Sequence, residues 1–176
     1  MQIEKIEVGR VILENCYVIS NNQENNCLVV DPGDEVEKIL EVVGNKKIIA
    51  ILITHYHFDH IGALKELKEK YNPFVFDFST KEETINVGGF SFKIIKTPGH
   101  KEDCVTFYFE REKVMFSGDF LFYHTVGRCD LEGGNYREML KSIELIKQYD
   151  IDTMVYPGHG CITKLKEELI NNPYFK

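Results

Sequence analysis

Short apolar runs separated by polar turns occur along the whole chain, and they predict a series of β-strands. The first two, at 2–8 and 11–20, are followed by the polar turn N-N-Q-E-N-N at 21–26 and by a returning strand at 26–31. The run I-I-A-I-L-I at 48–53 contains no polar residue, which is typical of a strand covered on both faces. Further strands are predicted at 74–78, 90–95, 104–109, 113–117 and 153–156.

Other stretches have the spacing of amphipathic helices. Helices are predicted at 34–43, from about 59 onward, at 135–149 and near 163–171. In the first of them, Asp34 is the predicted N-cap and Gly44 ends the helix. Because strands and helices alternate without a linker or a low-complexity tract, we expect a single layered α/β or α+β domain over residues 1–176.

The composition favours a folded protein and disfavours several classes of partner. With 43% hydrophobic residues among 176, the chain can bury a substantial core, which excludes intrinsic disorder. A formal net charge of -7 without a Lys/Arg run predicts no nucleic-acid partner and no anionic membrane partner. No apolar stretch approaches the ~20 residues of a membrane span, and the N-terminus lacks the apolar core of a signal peptide. Since the five cysteines form no C-x-x-C pair, we expect reduced thiols in a cytoplasmic protein.

Five of the six histidines follow predicted strands. Three lie in T-H-Y-H-F-D-H at 54–60, directly after the apolar run. His100 in K-T-P-G-H, Asp119 in M-F-S-G-D and His159 in V-Y-P-G-H-G each follow another strand through a glycine-containing turn. Because strand ends are rigid and accessible positions, we expect these side chains to meet in one site. Imidazole and carboxylate groups in this number predict a metal centre.

The spacing within the cluster divides it into two pairs. His55 and His57, two residues apart on an extended loop, can point in one direction and bind one ion. Asp59 and His60 open the following helix and point to an adjacent position. A carboxylate can bridge two cations, and two ions about 3.5–4 Å apart lower the pKa of a bridging water. The pattern therefore predicts two divalent metal ions.

The remaining candidate residues are expected to have structural roles. His124, in F-Y-H-T-V, lies outside the pattern and is interpreted as an ordinary loop residue. Cys161 lies two residues after His159 and could approach the site, but a small buried thiol is the favoured interpretation, as it is for Cys104 and Cys129. No G-x-S-x-G or similar nucleophile motif competes with the metal site.

Taken in order, T-H-Y-H-F-D-H, T-P-G-H, S-G-D and Y-P-G-H-G resemble the motifs of the metallo-β-lactamase fold superfamily over nearly the whole chain. The segment V-G-R-C-D-L-E-G-G-N at 126–135 is similar to the G-R-x-D-x-x-G-G stretch of short glyoxalase II-like hydrolases. The resemblance implies an α+β fold, a four-layer αβ/βα sandwich with two facing mixed sheets. It also implies a dinuclear site at one edge of those sheets.

The resemblance further implies a role for each candidate ligand. The ligands are His55, His57 and His100 for the first ion, Asp59, His60 and His159 for the second, and Asp119 as the bridge between them. Zinc is the expected metal, with iron or manganese as alternatives. Asp31 matches a position that supports a metal ligand, while capping of the D-P-G turn is an equally open role.

The implied reaction is hydrolysis of a thioester, and the implied partner is a small acyl substrate such as S-lactoylglutathione. A metal-bound hydroxide oriented by Asp59 would attack the acyl carbonyl, and the metals would stabilise the oxyanion and the departing thiolate. The chain ends about 17 residues after His159, too few for the helical domain that binds glutathione in full-length glyoxalase II enzymes. The thiol carrier and the oligomeric state are therefore left open.

Other functions fit the same motifs. In a persulfide dioxygenase, a single iron would be held by His55, His100 and Asp119, with open positions for oxygen. A lactonase or β-lactamase would use the dinuclear site on a different acyl bond. A non-catalytic binding module is disfavoured, because every ligand position of the motif is filled.

Overall fold

The first half of the chain forms a mixed sheet whose inner face covers the principal core. The computed structural model describes residues 1–21 and 24–176. In both sequence order and spatial order, the strands of the first sheet are Gln2–Val8 (β1), Glu14–Ser20 (β2), Asn26–Val30 (β3), Lys47–Leu52 (β4) and Phe74–Phe76 (β5). Strands β1, β2 and β3 pair antiparallel, whereas β3, β4 and β5 are parallel. Strand β4 is paired on both edges and covered on both faces, which explains its continuous apolar sequence.

The second half of the chain forms the facing sheet. Its strands, with the short hairpin that interrupts them, are Thr84–Val87 (β6), Phe90–Lys96 (β7), Val105–Phe109 (β8), Val114–Gly118 (β9), Leu121–Phe122 (β10), Thr125–Val126 (β11), Met154–Pro157 (β12) and Thr163–Lys164 (β13). The spatial order of the sheet is β13-β12-β9-β8-β7-β6, and β10 pairs only with β11. Strand β12 is parallel to β9, while the other neighbours are antiparallel. This sheet is therefore mixed as well.

Helices cover the outer face of each sheet. They are Val36–Val43 (α1), Phe58–Ile61 (α2), Leu64–Tyr71 (α3), Tyr136–Ile146 (α4) and Leu165–Asn171 (α5), followed by a 3-10 turn at Pro173–Phe175. Apolar residues of α1 and α3 pack on the first sheet, and those of α4 and α5 pack on the second. The order of layers is helix, sheet, sheet, helix, which confirms the α+β sandwich. Within residues 1–21 and 24–176, no helix is long and apolar enough to cross a membrane.

Aromatic residues fill the space between the two sheets. Tyr17 of β2 contacts Phe116 of β9 edge to face, with ring centroids 5.2 Å apart. Phe92 and Phe107 continue the same core along β7 and β8, and both side chains are fully buried. Burial of each such side chain stabilises the fold by about 1.5–3 kcal/mol, so this layer holds the two sheets together.

Several predicted strands differ in extent from the observed ones. The strand predicted at 11–20 begins at Glu14, because the residues before it form an exposed bend in which Val11 is 92% exposed. Strand β6 was not predicted, and its T-I-N-V sequence shows why, since a short edge strand needs few apolar residues. The hairpin of β10 and β11 was missed because each strand has only two residues.

Helix ends also differ from the predictions. Glu35, with φ of 50°, occupies the N-cap of α1, and Asp34 instead accepts a hydrogen bond from the Glu35 backbone N–H at 2.7 Å. Asp34 as N-cap was therefore wrong by one residue. The helix predicted from about 59 consists of two pieces, α2 and α3, and α4 ends at Ile146 instead of 149. The predicted turn at 21–26 includes residues 22 and 23, which lie outside the described residues.

Candidate metal centre

All seven predicted ligands lie in segments that follow strands at one edge of the sandwich. The segment that follows β4 carries His55 and His57, and the adjoining short helix α2 contains Asp59 and His60. The loops after β7, β9 and β12 of the facing sheet supply the others, which are His100, Asp119 and His159. The side chains group into two neighbouring sets, so the structure brings the sequence-predicted residues together.

The first set, which we call the three-histidine subsite, contains His55, His57 and His100. The Nδ1 atom of His57 lies 3.0 Å from Nε2 of His55 and 3.0 Å from Nε2 of His100. The Oδ2 atom of Asp119 lies 3.6 Å from Nε2 of His100. Three imidazole nitrogens and one carboxylate oxygen therefore converge on one point.

The second set, which we call the Asp59 subsite, contains Asp59, His60 and His159. The Nε2 atom of His159 is 3.4 Å from Oδ2 of Asp59, and Nε2 of His60 is 4.0 Å from the same oxygen. Asp119 borders this subsite too, because its Oδ2 lies 3.4 Å from Nε2 of His159 and its Oδ1 lies 3.4 Å from Nε2 of His60. The carboxylate of Asp119 thus faces both subsites.

The separations between these atoms fit coordination of metal ions. Two ligand atoms at about 2.0–2.1 Å from one zinc ion in tetrahedral geometry are about 3.3–3.4 Å apart. The observed separations range from 3.0 to 4.0 Å around that value. In addition, Nε2 of His60 and Oδ1 of Asp119 are buried and make no hydrogen bond within the described part of the chain. Buried polar atoms without partners are costly, and bound metal would satisfy both.

The outward nitrogens of four rings are fixed by other groups, which orients the inward nitrogen of each. Two of these groups are backbone carbonyls, since Nδ1 of His100 lies 2.8 Å from the Arg128 oxygen and Nδ1 of His159 lies 2.6 Å from the Leu13 oxygen. The remaining outer contacts, 3.1 and 3.0 Å long, join His55 to Thr54 and His60 to Asp31. Outer contacts of this kind set the tautomer and orientation of metal-binding histidines.

Asp31 supports both subsites from beneath. Its Oδ2 atom accepts a hydrogen bond from the Thr54 hydroxyl at 2.5 Å and lies 3.0 Å from Nδ1 of His60. Because the Thr54 proton is given to Asp31, the Thr54 oxygen is free to accept a hydrogen bond from His55. Asp31 therefore contacts His60 directly and reaches His55 through one hydroxyl, in agreement with the supporting role that the resemblance implied.

In the three-histidine subsite, burial favours the neutral form of His55 and His57. Burial lowers the pKa of His55 well below its usual value, and the neighbouring His60 adds to the effect. Burial and the neighbouring His100 also lower the pKa of His57. Neutral imidazole is the form that binds metal, so these rings need not lose a proton first.

In the Asp59 subsite the rings are held in their charged form. Burial alone would lower the pKa of His60, but contacts with Asp119 and Asp31 outweigh it and raise that pKa well above its usual value. Burial acts in the same direction on His159, yet Asp119 and Asp59 raise its pKa to about 10. Burial would raise the pKa of both carboxylates, whereas contact with His159 lowers the pKa of Asp59 and of Asp119. Metal binding here must displace protons.

Two features of the site were not found from the sequence. Glu14 is fully buried 3.8 Å from Nδ1 of His60, and neither of its carboxylate oxygens has a hydrogen-bond partner among the described residues. Burial raises the pKa of Glu14 well above its usual value, which favours the protonated acid. Gly158 leaves room for the ligands, because a Cβ there would lie 2.5 Å from Oδ1 of Asp119. Glu14 belongs to no motif, and the Y-P-G-H-G motif that contains Gly158 gave no sign of this close approach to Asp119.

The other candidate residues lie outside the two subsites. His124 occupies the turn between β10 and β11 and forms an ion pair with Glu167 of α5, with 2.8 Å between Nε2 and Oε1. This agrees with a structural role. Cys104 is buried as predicted, but Cys129 is half-buried and Cys161 is exposed, so the prediction of a buried thiol was wrong for Cys161. Cys161 is exposed because the turn after His159 runs along the surface.

Comparison with known proteins identifies the family of this fold. The family described as the metallo-beta-lactamase superfamily matches residues 9–76 and 72–159. A protein of Aquifex aeolicus is 34% identical over 99% of this chain and 97% of its own length. The hydroxyacylglutathione hydrolase GloC of Haemophilus influenzae is 29% identical over 99% of this chain and 98% of its own length.

Solved structures show the same fold along the whole chain. The BLEG-1 B3 metallo-beta-lactamase is 30% identical, with a TM-score of 0.94 over 99% of this chain and 100% of that one. TTHA1623 in a di-iron-bound form is 30% identical, with a TM-score of 0.86 over 97% of this chain and 99% of that one. ETHE1 from Myxococcus xanthus is 25% identical, with a TM-score of 0.90 over 98% of this chain and 84% of that one. Together with the candidate metal-binding residues, these matches identify the chain as a member of the metallo-β-lactamase superfamily of metal-dependent hydrolases.

Proposed function

We propose that this chain is a dinuclear metal-dependent hydrolase of thioesters, with a small acyl compound as substrate. The observation that carries the proposal is the convergence of seven side chains into two sets that share Asp119. A mononuclear site would leave the side chains of the Asp59 subsite without a metal ion. Contacts with neighbouring groups nevertheless fix their orientation, as they do in the other subsite. The relationship to a hydroxyacylglutathione hydrolase supports a thioester as the bond that is cleaved.

Each residue of the centre has a task in this proposal. His55, His57 and His100 would hold one ion, and Asp59, His60 and His159 would hold the other, with Asp119 between them. When bound, the ions would lower the pKa of a water molecule and polarise the acyl carbonyl. The contribution of the chain is to fix the ligand atoms before substrate arrives, which removes the cost of arranging them during the reaction.

Asp59 is the residue that we assign to proton transfer. Its carboxylate lies at the mouth of the site, where its side chain is 12% exposed, and contact with His159 lowers its pKa. An ionised and accessible carboxylate can accept a hydrogen bond from the attacking water and then take its proton. In the metal-free protein Nε2 of His159 lies 3.4 Å from this carboxylate, so the two groups are already side by side before metal binds.

The rim of the site favours an uncharged acyl group. Phe58, between two ligands in the sequence, is 70% exposed, and Leu13, whose carbonyl oxygen contacts His159, is 62% exposed. The ring of Phe122 lies 6.1 Å from that of His159. Apolar side chains that are left exposed beside a polar site commonly contact the apolar part of a ligand.

Metal analysis of the purified protein, combined with assays of three substrate classes, tests the proposal. We expect two equivalents of divalent metal and hydrolysis of S-lactoylglutathione or of another small thioester, without uptake of oxygen. A single iron with oxygen consumption on glutathione persulfide would contradict the proposal and identify the dioxygenase alternative.

A second hydrolytic function is tested in the same experiment. The likeness to a B3 metallo-beta-lactamase favours including a cephalosporin among the substrates. If cleavage of the lactam exceeded cleavage of every thioester in kcat/KM, the substrate class proposed here would be wrong while the dinuclear site would stand. Protein purified without any bound metal, and unable to bind added zinc, would overturn both functions.

A further inference from the structure

We infer that Asn15 is a positioning residue that fixes the loop carrying His159 and thereby sets the affinity of the Asp59 subsite for metal. The inference rests on the dinuclear site proposed above. Asn15 lies on β2 in the first sheet, while His159 follows β12 in the second sheet. The contacts of Asn15 with the loop that carries His159 therefore cross from one sheet to the other at the edge where the candidate metal centre lies.

The amide of Asn15 binds the loop on both sides of His159. Its Nδ2 atom donates to the Pro157 carbonyl oxygen at 3.0 Å and to the Gly160 carbonyl oxygen at 3.0 Å. The backbone N–H of Asn15 donates to the Gly158 carbonyl oxygen at 2.7 Å. Three of the four carbonyls in the segment 157–160 are thus held by one residue, which is itself only 3% exposed.

Neighbours of Asn15 reinforce this contact. The Tyr17 hydroxyl donates to the Pro157 carbonyl oxygen at 2.6 Å, and the Leu13 carbonyl oxygen accepts from Nδ1 of His159 at 2.6 Å. Alternate side chains of one strand point to the same side, so Tyr17 acts beside Asn15 on the same loop. The start of β2 and the residue before it therefore bind both the loop backbone and the ring of its candidate ligand.

The loop needs such support because its own sequence leaves it free to move. His159 stands between Gly158 and Gly160, and glycine restricts the backbone less than any other residue. Gly160 has a φ of +75°, and a Cβ placed there would meet no atom within 4 Å, so packing does not hold it. His159 is also the most exposed of the imidazole ligands for which ion pairs are described, with 26% of its side chain accessible.

Asparagine suits this position because of its donors. A primary amide presents two N–H groups at one end, so it can satisfy two carbonyl oxygens at once. Aspartate has the same shape without a donor, leucine has a similar size without a polar group, and serine has one donor only. These three residues therefore separate the effect of hydrogen bonding from the effect of volume.

The other subsite does not depend on Asn15. His55 and His57 follow β4, and His100 is oriented by the Arg128 carbonyl oxygen. A residue that merely stabilised the fold would weaken both subsites to the same extent. A residue that positions the His159 loop would weaken the Asp59 subsite alone.

Titration of zinc into metal-free protein, followed by calorimetry and by elemental analysis after dialysis, tests the inference. In Asn15→Leu and Asn15→Asp, we expect the affinity of the Asp59 subsite to fall roughly 10–100-fold, as is typical when an outer contact of a metal ligand is lost. We expect the affinity of the three-histidine subsite to stay within about twofold. Asn15→Ser, which keeps one donor, should give an intermediate loss and serves as the test if the larger changes prevent folding.

Asn26→Leu is the matched control. Asn26 is also a buried asparagine of the first sheet, 8% exposed, but it begins β3 at the end of the sheet away from the metal centre. Its amide donates to the Gly88 carbonyl oxygen at 3.3 Å. We expect Asn26→Leu to lower the melting temperature while keeping both zinc affinities.

The outcomes separate this inference from the proposed function. Two unchanged zinc affinities in folded Asn15→Leu would overturn it, and so would an equal loss at both subsites. A wild-type protein that binds a single zinc ion would contradict the dinuclear site itself. Loss of one zinc equivalent in the Asn15 variants, with two retained in Asn26→Leu, is the result that we expect.

Discussion

The two halves of the metal centre share one carboxylate but differ in charge. In the three-histidine subsite, burial keeps His55 and His57 neutral, so an ion can bind without displacing their protons. In the Asp59 subsite, carboxylates raise the pKa of His60 and of His159, so protons occupy the places where metal binds. The comparison shows that imidazole rings in one metal-free centre can be held neutral in one half and protonated in the other, depending on whether burial or neighbouring carboxylates dominate.

The halves also differ in how their ligands are supported. His100 is oriented by the Arg128 carbonyl oxygen, and His55 by the adjacent Thr54. His60 is oriented by Asp31, and His159 by the carbonyl oxygen of Leu13, which precedes β2 of the first sheet. Both subsites take ligands from both sheets, but only in the Asp59 subsite is the ring of a ligand oriented by a carbonyl beside the opposite sheet.

The largest effect is expected from the residue that the halves share. Replacing Asp119 by Ala removes a ligand from both subsites, so metal content should fall towards zero. Turnover should fall roughly a thousandfold or more, since bound ions supply several kcal/mol of transition-state stabilisation and each 1.4 kcal/mol is tenfold in rate.

Elemental analysis and thioester hydrolysis measure these changes, and Asp152→Asn is the matched control. Asp152 is an exposed aspartate next to the start of β12, whereas His159 follows the end of that strand. If Asp119→Ala kept two equivalents of metal, Asp119 would not be the link between the halves.

The next largest effect is expected from a change in the Asp59 subsite alone. Asp59→Asn keeps the size of the side chain and removes the carboxylate that accepts a proton, while the three-histidine subsite is untouched. We expect turnover to fall roughly 100-fold or more, within the range usual for general-base groups, with one tightly bound metal retained. Wild-type turnover in Asp59→Asn, measured on the thioester that the wild type prefers, would contradict the role of Asp59.

A smaller effect is expected from Asp31 and Thr54, which contact the candidate ligands without being ligands themselves. Asp31→Asn weakens the direct contact with His60, so the zinc affinity of the Asp59 subsite should fall roughly 10–100-fold. Thr54→Val removes only the hydroxyl that links His55 to Asp31, so it should affect the three-histidine subsite instead. Calorimetric titration of both variants compares the two routes. Identical affinity profiles would show that Asp31 acts on the centre as one unit.

As the pH falls, zinc should be released from the two subsites in a defined order. The pKa of His159 is raised to about 10, so at lower pH this ring carries a proton in the metal-free protein, and metal must displace that proton. The zinc affinity of the Asp59 subsite should therefore fall about tenfold for each pH unit and each displaced proton, because one pKa unit corresponds to a tenfold change. The three-histidine subsite should keep its zinc until the pH approaches the lowered pKa values of His55 and His57.

Equilibrium dialysis between pH 8 and pH 6 measures this order, and simultaneous loss of both ions would contradict it. The metal-free fold should respond in the opposite sense. Because the pKa of His159 is raised, its stabilising contribution is complete below the usual histidine value and is lost as the pH rises towards about 10. Thermal unfolding of the metal-free protein across that range measures this second trend.

The smallest effect is expected far from both halves. His124→Ala breaks an exposed ion pair with Glu167, and surface pairs of this kind contribute little to stability. We expect metal content, zinc affinities and turnover to stay within about twofold of wild type. A loss of either ion in this variant would show that the turn between β10 and β11 is coupled to the centre.

Much of the fold and all seven candidate ligands could be predicted from the sequence. The core strands were found because their apolar residues form continuous or alternating runs, as in β4 and β7. The ligands were found because four stand within six residues directly after an apolar run, and because His100, Asp119 and His159 each follow a strand through a glycine-containing turn. Signals of this kind are local, so they can be read without knowledge of the fold.

The features that were missed depend on distant contacts. β6 is defined by pairing with β7 and has little apolar character of its own. Asn15 and the Pro157 carbonyl are 142 residues apart in the chain, and a carbonyl oxygen has no signature in the sequence. Glu14 lies within the strand predicted at 11–20 and belongs to no motif, and only the assembled fold places it beside His60.

Because the ligands are divided between the two sheets, the two subsites are completed at different times during translation. Neither sheet contains a complete set, since residues 55–60 belong to the first and the other ligands belong to the second. The three-histidine subsite can be completed once the ribosome has added Asp119 and the strands around it have left the exit tunnel. The Asp59 subsite must wait for about 40 further residues, until His159 emerges. In the dinuclear centre proposed above, a nascent chain would therefore complete the three-histidine subsite before the Asp59 subsite.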